Sequence, residues 1–221
     1  MKENQFSVFG VLEANFFLQN AEEDIQIKGY SMFWDKGREN LRRQNARCVL
    51  FVRNDLSFKI RRDLMEDSVP EIWMELGLPK KKKSLLCLFY REFSQWGQRT
   101  LTDSIHSQTQ RFESWTSKVG RILESGRETW LIGDFNFDLS RKDDNSYTRK
   151  NIAKMAHQEI IGRGMLQIIK GPTHRFQGRE STIDLIFTNE PRKVAEFGQI
   201  ATGTEHDCVW MRRESNFITR K

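Results

Sequence analysis

A carboxylate and an amide stand two residues apart in Trp130-Leu131-Ile132-Gly133-Asp134-Phe135-Asn136. The apolar run predicts a buried strand that delivers both side chains to its C-terminal end, where the active sites of α/β sheets gather. A structural alternative stays open, in which both side chains satisfy the backbone amides of a turn.

A second acidic residue, Asp184, lies inside the otherwise apolar run Ser181-Thr182-Ile183-Asp184-Leu185-Ile186-Phe187. A lone buried carboxylate is costly, so Asp184 should have a partner. His206 is the candidate, because an aspartate fixes the tautomer of a histidine and raises its basicity. Without that pairing, His206 is an ordinary surface or core histidine. Glu13 closes the apolar run 6–12 and is a third candidate for chemistry, with a solvated side chain as the alternative.

Composition excludes several classes of protein. The 221 residues include 6 Trp and 16 Phe, which argues for a packed core and against disorder. The net charge of +6 makes an anionic partner plausible. Three cysteines without a Cys-x-x-Cys pair indicate neither a disulfide framework nor a cysteine-built zinc site, and they suit a reducing intracellular compartment. No apolar run is long enough to span a membrane.

Short apolar runs alternate with two helical segments, which predicts a mixed α/β domain over residues 1–221. The helices are expected over 102–124, with Gly126 as its stop, and from Thr148 to about Gly162. Pro79 with the lysines that follow predicts a charged hairpin turn, and 141–146 predicts a surface loop. Strands are expected over 6–12, 48–52, 58–62, 71–76, 84–90, 129–132, 166–169, 182–187 and 208–211.

Taken in order along the chain, the motifs resemble a known family. They are Val11-Leu12-Glu13-Ala14, Leu88-Phe89-Tyr90-Arg91, the Gly-Asp-x-Asn sequence at 133–136, the Ser-x-Ile-Asp strand and Glu205-His206. The sequence is similar to endonuclease/exonuclease/phosphatase domains, and within them to the apurinic-endonuclease-like nuclease of non-LTR (LINE-type) retrotransposons. Pro172-Thr173-His174 ahead of the Asp184 strand strengthens the retroelement likeness.

The resemblance implies a four-layer α/β sandwich, with two mixed β-sheets packed face to face and helices outside. The resemblance also implies that Glu13 and Glu205 hold Mg²⁺ or Mn²⁺. Asp134 would orient or deprotonate the attacking water and Asn136 would bind the scissile phosphate. His206, backed by Asp184, would stabilise charge on that phosphate. Tyr90 would contact the phosphate from the side.

Some positions depart from the family pattern. The family opens with a strand that carries an asparagine, and we expect that strand to be missing here. The late Ser-Asp-His of the family is Thr204-Glu205-His206, which adds a methylene where an aspartate would reach the metal or its waters. An aspartate-to-glutamate change could misplace a ligand by about 1 Å, enough to cost ~100-fold in rate.

Basic residues could contact a nucleic acid. Arg175 and Arg179 lie just before the Asp184 strand, so a place on the rim of the site is expected, and Lys82 belongs to the lysine-rich hairpin turn. Arg38, Arg42 and Arg43 are further candidates, and Trp96 is a candidate for base stacking. The alternative for each charge run is a solvated face.

Three functions are open. The first is a monomeric DNA endonuclease that leaves a 3′ hydroxyl, acts in the nucleus and is fused to a reverse transcriptase in its full-length element. The second is an inactive truncated remnant that binds nucleic acid. The third is a phosphatase of the same superfamily.

Overall fold

The computed structural model of the protein describes residues 6–17, 25–35, 45–79, 82–92, 101–139 and 147–214. The chain divides into two compact units, Met1–Tyr90 with Asn216–Lys221, and Arg91–Ser215. The single domain expected over residues 1–221 stays a prediction. The α/β class is confirmed, because antiparallel sheets and two α-helices make up the described chain. Among the described helices, none is long and apolar enough to cross a membrane.

The first unit contains two sets of antiparallel strands. The strands are β1 Val8–Phe17, β2 Tyr30–Trp34, β3 Asn45–Arg53, β4 Phe58–Ile60, β5 Glu71–Gly77 and β6 Lys83–Tyr90. In one set, β3 pairs with β1 on one side and with β2 on the other. In the other set, β5 pairs with β4 and with β6.

These two sets of strands pack on each other. Side chains alternate along β3, so Val49 and Phe51 join one apolar cluster while Cys48, on the opposite face, donates from Sγ to the Pro70 carbonyl at 3.3 Å. A Cβ added at Gly10 of β1 would lie 2.5 Å from a methyl carbon of Leu88 on β6. The close approach of β1 and β6 therefore depends on a residue without a side chain.

The second unit begins with helix α1, Leu101–Glu124, and strand β7, Glu128–Asp134. Helix α2, Tyr147–Ala156, continues into a π-helical turn at His157–Ile161. The later strands are β8 Leu166–Gln167, β9 His174–Phe176, β10 Arg179–Ser181, β11 Asp184–Thr188, β12 Val194–Ile200 and β13 Cys208–Arg213. Strand β11 pairs with β7 and β8, and two antiparallel pairs, β9 with β10 and β12 with β13, complete the unit.

Helix α1 packs through aromatic rings onto the segment that follows β7. Trp115 is fully buried and meets Phe135 edge-on at 6.0 Å between ring centroids. Phe135 in turn meets Phe187 of β11 at 5.1 Å. Because Phe135 lies between Asp134 and Asn136, this core anchors the segment that carries both polar residues.

The structure contains both predicted helices and a strand at each predicted position. Gly126, with φ of 67°, follows the end of α1 as expected. The predicted hairpin of β5 and β6 is present, and Leu78 N–H donates to the Lys82 carbonyl at 2.8 Å across its turn. The sequence analysis missed four strands, β2, β9, β10 and β12. Its loop at 141–146, together with Arg38, Arg42, Arg43, Lys80, Lys81 and Trp96, lies outside the described residues.

Candidate active site

The pairing of β7 with β11 brings two carboxylates together in the second unit. Asp134 is the last residue of β7, Asp184 is the first of β11, and the two are direct partners in the antiparallel register. Both are buried, with 4% and 7% of their surface exposed. Two like charges directly opposite each other are unfavourable, so this register needs compensating donors.

Asn136 supplies donors to Asp134. Its backbone N–H donates to Asp134 Oδ1 at 2.8 Å, and its side-chain Nδ2 donates to Oδ2 at 3.1 Å. Asn136 has a left-handed backbone, with φ of 51°, a conformation that asparagine tolerates better than most residues. The structural alternative from the sequence is therefore present too, since Asp134 does satisfy a turn amide. The same contacts fix the direction of its carboxylate.

His206 supplies the donor to Asp184. Its Nδ1 lies 3.0 Å from Asp184 Oδ2 and 3.3 Å from Oδ1, so the predicted pairing is confirmed. An ionised carboxylate only accepts hydrogen bonds, so Nδ1 carries the hydrogen. The Nε2 atom of a ring that is 37% exposed then remains for a substrate.

The sequence analysis gave no role to His174, which contacts the catalytic candidates. It forms an isolated β-bridge with His206, and the two rings lie 4.5 Å apart. Its Nδ1 lies 3.3 Å from Ser181 Oγ, and its Nε2 lies 3.8 Å from the Glu205 carboxylate. Burial lowers the pKa of His174, and the neighbouring His206 lowers it further. The Pro-Thr-His motif was the signal available in the sequence.

Thr173, the residue before His174, is a second position that sequence reasoning passed over. Its side chain is fully buried, and Oγ1 accepts hydrogen bonds from the backbone N–H groups of Ile183 at 3.1 Å and Asp184 at 2.9 Å. These bonds fix the backbone at the start of β11. The direction of the Asp184 carboxylate therefore depends on Thr173.

Glu13 and Tyr90 lie in the first unit, where the structure brings them together. The Tyr90 hydroxyl donates to Glu13 Oε1. Glu13 is exposed and has a φ of 52°, and the register of β1 against β3 shifts between Leu12 and Phe16. The Glu13 side chain therefore lies exposed at an irregular position within β1.

The second unit also holds a group of residues that could bind a metal ion. Asp134, Asp184 and His206 each offer a ligand atom, and these atoms lie within 4.8 Å of one another. Carboxylate oxygens suit Mg²⁺ and Mn²⁺, and the imidazole suits Mn²⁺ better than Mg²⁺. Glu205, the predicted ligand, is exposed and directs its carboxylate to His174, so its metal role stays a prediction.

The basic candidates lie on exposed surface. Arg175 and Arg179 belong to the hairpin of β9 and β10, whose His174 contacts His206. The Arg175 guanidinium already pairs with Asp207 at 2.7 Å and with Glu180 at 3.2 Å. The part of the chain that the structure describes gives Arg179 no ion-pair partner. Lys82 is exposed in the turn immediately before β6.

Comparison with known proteins finds similarity in structure only. No protein-family model matches the sequence, and no curated protein matches it. The endonuclease domain of TRAS1, a telomere-specific non-LTR retrotransposon, superposes with a TM-score of 0.62 at 14% identity, over 86% of this chain and 82% of that one.

Two bacterial structures are similar as well. The 3′ phosphatase NExo from Neisseria, bound to a product DNA hairpin, has a TM-score of 0.62 at 13% identity, over 96% of this chain and 90% of its own. An endonuclease/exonuclease/phosphatase family protein from Leptotrichia buccalis has a TM-score of 0.59 at 13% identity, over 96% and 89%. The resemblance inferred from the motifs is thus confirmed at the level of structure, and the chain has the fold of the endonuclease/exonuclease/phosphatase proteins.

Proposed function

We propose that the protein is a metal-dependent DNA endonuclease that hydrolyses one phosphodiester bond and leaves a 3′ hydroxyl. The observation that carries this proposal is the group formed by Asp134, Asn136, Asp184 and His206. It combines a carboxylate held in one direction, an amide, and an imidazole oriented by a second carboxylate. These groups lie where β7 ends and β11 begins. The similarity to a retrotransposon endonuclease domain supports DNA as the substrate.

Each of these residues has a role in the proposed reaction. Asp134 accepts the proton of the attacking water, because its carboxylate is held in one direction by Asn136. In the proposed reaction His206 donates a hydrogen bond from Nε2–H to an oxygen of the scissile phosphate, which requires the imidazolium form, while Asp184 accepts from Nδ1 and holds the ring. We keep Tyr90 as a phosphate contact and Glu13 and Glu205 as metal ligands, on the family resemblance. A bound divalent cation would neutralise phosphate charge and favour hydroxide formation.

Supercoiled plasmid nicking tests the proposal. The purified chain should convert supercoiled DNA to open circles with Mg²⁺ and leave it intact with EDTA. Asp134→Ala and His206→Ala should lose this activity. Asp63→Asn is the matched control, because Asp63 is an exposed partner of Arg61 in the other unit. Nicking that survives in Asp134→Ala, or that persists in EDTA, would overturn the proposal.

The chemistry of the nick separates the endonuclease from the other candidates. A 3′ hydroxyl can be extended directly by a DNA polymerase, whereas a 3′ phosphate requires a phosphatase first. A plasmid carrying a 3′-phosphate nick tests the phosphatase function, which the similarity to NExo favours. Salt-sensitive DNA binding that Asp134→Ala leaves unchanged, without cleavage of either substrate, would favour the inactive remnant.

We also keep the biological context as a proposal. A nick with a 3′ hydroxyl can prime DNA synthesis, so a reverse transcriptase fused to the same polypeptide is the expected partner. Such a protein would act in the nucleus, and we expect the nuclease to be a monomer.

A further inference from the structure

We propose that Arg91 is a positioning residue that sets the geometry of the Asp134–Asn136 turn, an inference that rests on the proposed nuclease function. Arg91 is the first residue of the second unit and immediately follows Tyr90. It does not belong to the group of Asp134, Asn136, Asp184 and His206. It acts on the reaction only through the backbone that carries two of them.

Arg91 binds the carbonyl groups of three successive residues. Its backbone N–H donates to the Asp134 carbonyl at 2.9 Å. Its Nε donates to the Phe135 carbonyl at 2.8 Å, and its Nη2 donates to the Asn136 carbonyl at 2.7 Å. In return, Asn136 Nδ2 donates to the Arg91 carbonyl at 2.8 Å. One residue thus holds every carbonyl of the turn and also the side chain of Asn136.

Arginine is suited to this position by the shape of its guanidinium. The group is planar and presents donors in a fixed fork, so Nε and Nη2 can reach two neighbouring carbonyls at once. Gln108 of α1 accepts from Nη1 at 3.1 Å and fixes the rotation of the plane. A lysine ammonium is a single point at the end of a flexible chain and cannot reproduce this fork.

Arg91 and its hydrogen-bond acceptor Gln108 are both buried. Arg91 is 5% exposed and Gln108 is 8% exposed, so these hydrogen bonds are shielded from water. A protein is often at least as stable when an apolar side chain of similar volume replaces a buried charged group. Packing alone therefore does not require arginine here. Arginine adds the specific placement of the Phe135 and Asn136 carbonyls, since the bond to the Asp134 carbonyl comes from the backbone N–H.

This placement determines the direction of the Asp134 carboxylate. Both Asp134 oxygens accept from Asn136, and Asn136 holds a left-handed conformation between its bonds to Asp134 and Arg91. A turn released by Arg91 would let Asn136 relax and the carboxylate rotate. Displacements of about 1 Å in a catalytic group can cost ~100-fold in rate.

The test compares Arg91→Lys with Arg213→Lys at a temperature where both variants are folded. Arg213 is the matched control, because its buried guanidinium donates two bonds to Glu128 at 2.6 and 2.9 Å, and it has no place in the proposed reaction. In plasmid nicking, Arg91→Lys should lower kcat by about 10- to 100-fold with little change in KM. Arg213→Lys should keep the wild-type kcat.

A second readout does not depend on activity. In protein labelled with ¹⁵N-asparagine, hydrogen exchange of the Asn136 backbone N–H reports its bond to Asp134. We expect exchange at least about tenfold faster in Arg91→Lys and unchanged in Arg213→Lys, since exchange follows local opening. If the wild-type chain does not cleave DNA, the nuclease proposal fails while this measurement still tests the hold on the turn.

Three results would overturn the inference. They are wild-type exchange in Arg91→Lys, faster exchange with an unchanged kcat, and an equal loss of kcat in Arg213→Lys. Should Arg91→Lys fail to fold, Gln108→Leu takes its place, because it keeps the guanidinium and removes the acceptor that fixes its plane. That variant should lower kcat several-fold and accelerate Asn136 exchange, and a wild-type result in both would again refute the role.

Discussion

Asp184 holds His206, the residue that we propose contacts the scissile phosphate. Its carboxylate is largely buried, and the imidazole that it holds is the more exposed of the two groups. Carboxylates of this kind keep a histidine in one tautomer and one orientation. The proposed role of His206 therefore depends on the charge of a neighbour that does not itself face the solvent.

We expect Asp184→Asn to lower the nicking rate by about 10- to 100-fold, as is typical when the partner of a functional histidine is changed. An asparagine can present its amide nitrogen to Nδ1 and favour the wrong tautomer. The measurement is single-turnover cleavage of an intact duplex oligonucleotide that contains a nicking site, at saturating protein. Asp55→Asn, at an exposed partner of Arg53, serves as the control and should cleave normally. Equal rates in both variants would remove Asp184 from the mechanism.

The sequence predicted the polar residues of the site better than the residues that hold them. Asp134, Asn136 and Asp184 interrupt apolar runs, and a carboxylate in such a run needs a partner such as His206. Arg91 could not be assigned in this way, because the groups it binds are backbone carbonyls, which leave no pattern in the sequence. The role of Thr173 could not be inferred from the sequence for the same reason, since its side chain binds two backbone N–H groups.

At the scale of elements, a buried carboxylate joins the start of β7 to two later segments. Glu128 accepts from Arg213 of β13 at 2.6 Å and from Lys193 at 2.9 Å. Burial alone would raise the pKa of Glu128, but hydrogen bonds from Arg213, Lys193 and Trp130 outweigh it and lower the pKa to about 2. Because the folded-state pKa is depressed, the stabilisation is present above the ordinary glutamate pKa of about 4.3 and is lost as the pH falls towards 2.

We expect Glu128→Gln to lower the free energy of unfolding by about 1–3 kcal/mol at pH 7, because it leaves buried donors poorly paired. The difference from the wild type should shrink between pH 4.5 and pH 2, as the wild-type carboxylate becomes protonated. Urea unfolding at pH 7 and pH 3 measures both effects. Glu196→Gln, at an exposed partner of Arg212, should change stability little at either pH. A deficit that is the same at both values would show that the charge is not responsible.

The contact between β1 and β6 gives a prediction about packing in the first unit. Gly10→Ala should destabilise the protein by about 1–3 kcal/mol, because its Cβ would overlap the buried Leu88 side chain. The double variant with Leu88→Ala should cost less than the sum of the two single variants, since the space is then available. Urea unfolding of the four proteins completes the cycle. Strict additivity would mean that the two residues do not contact each other.

Two of the strands that escaped prediction, β9 and β10, are short and polar. Strands β9 and β10 contain three residues each and lack an apolar alternation. They are joined by Gln177 and Gly178, both with positive φ, at 48° and 74°. This conformation matches the two-residue hairpin turns that favour asparagine and glycine, and Gln-Gly is a weaker signal for it. Longer apolar strands such as β5 and β6 were predicted almost to the residue.

At the scale of the whole molecule, the positive net charge should govern binding to DNA. The chain carries 36 Lys and Arg against 30 Asp and Glu. The logarithm of the DNA-binding constant should fall linearly with the logarithm of the salt concentration. Each phosphate contact should add about −0.9 to the slope. We therefore expect binding in EDTA, where the proposed nuclease should not cleave, to weaken steeply as the salt concentration rises.

Arg179 gives this expectation a local test. Arg179→Ala should reduce the salt slope by about 1, as expected for one phosphate contact. Fluorescence anisotropy with a labelled duplex across a salt series measures the slope. Arg192→Ala removes an exposed arginine from a different turn and should leave the slope unchanged. The same reduction in both variants would indicate a diffuse effect of net charge and would remove Arg179 from the list of DNA contacts.

The left-handed conformation of Asn136 limits which residues evolution can place there. The backbone favours glycine, asparagine and aspartate at a φ of 51°. The bonds from Nδ2 to Asp134 and to the Arg91 carbonyl require a side chain with two donor hydrogens. Glycine lacks that side chain, and aspartate would set a second negative charge against Asp134. The backbone conformation and the hydrogen bonds thus independently select asparagine at position 136. A copy of this gene in which another residue replaces Asn136 would lose the geometry of the turn.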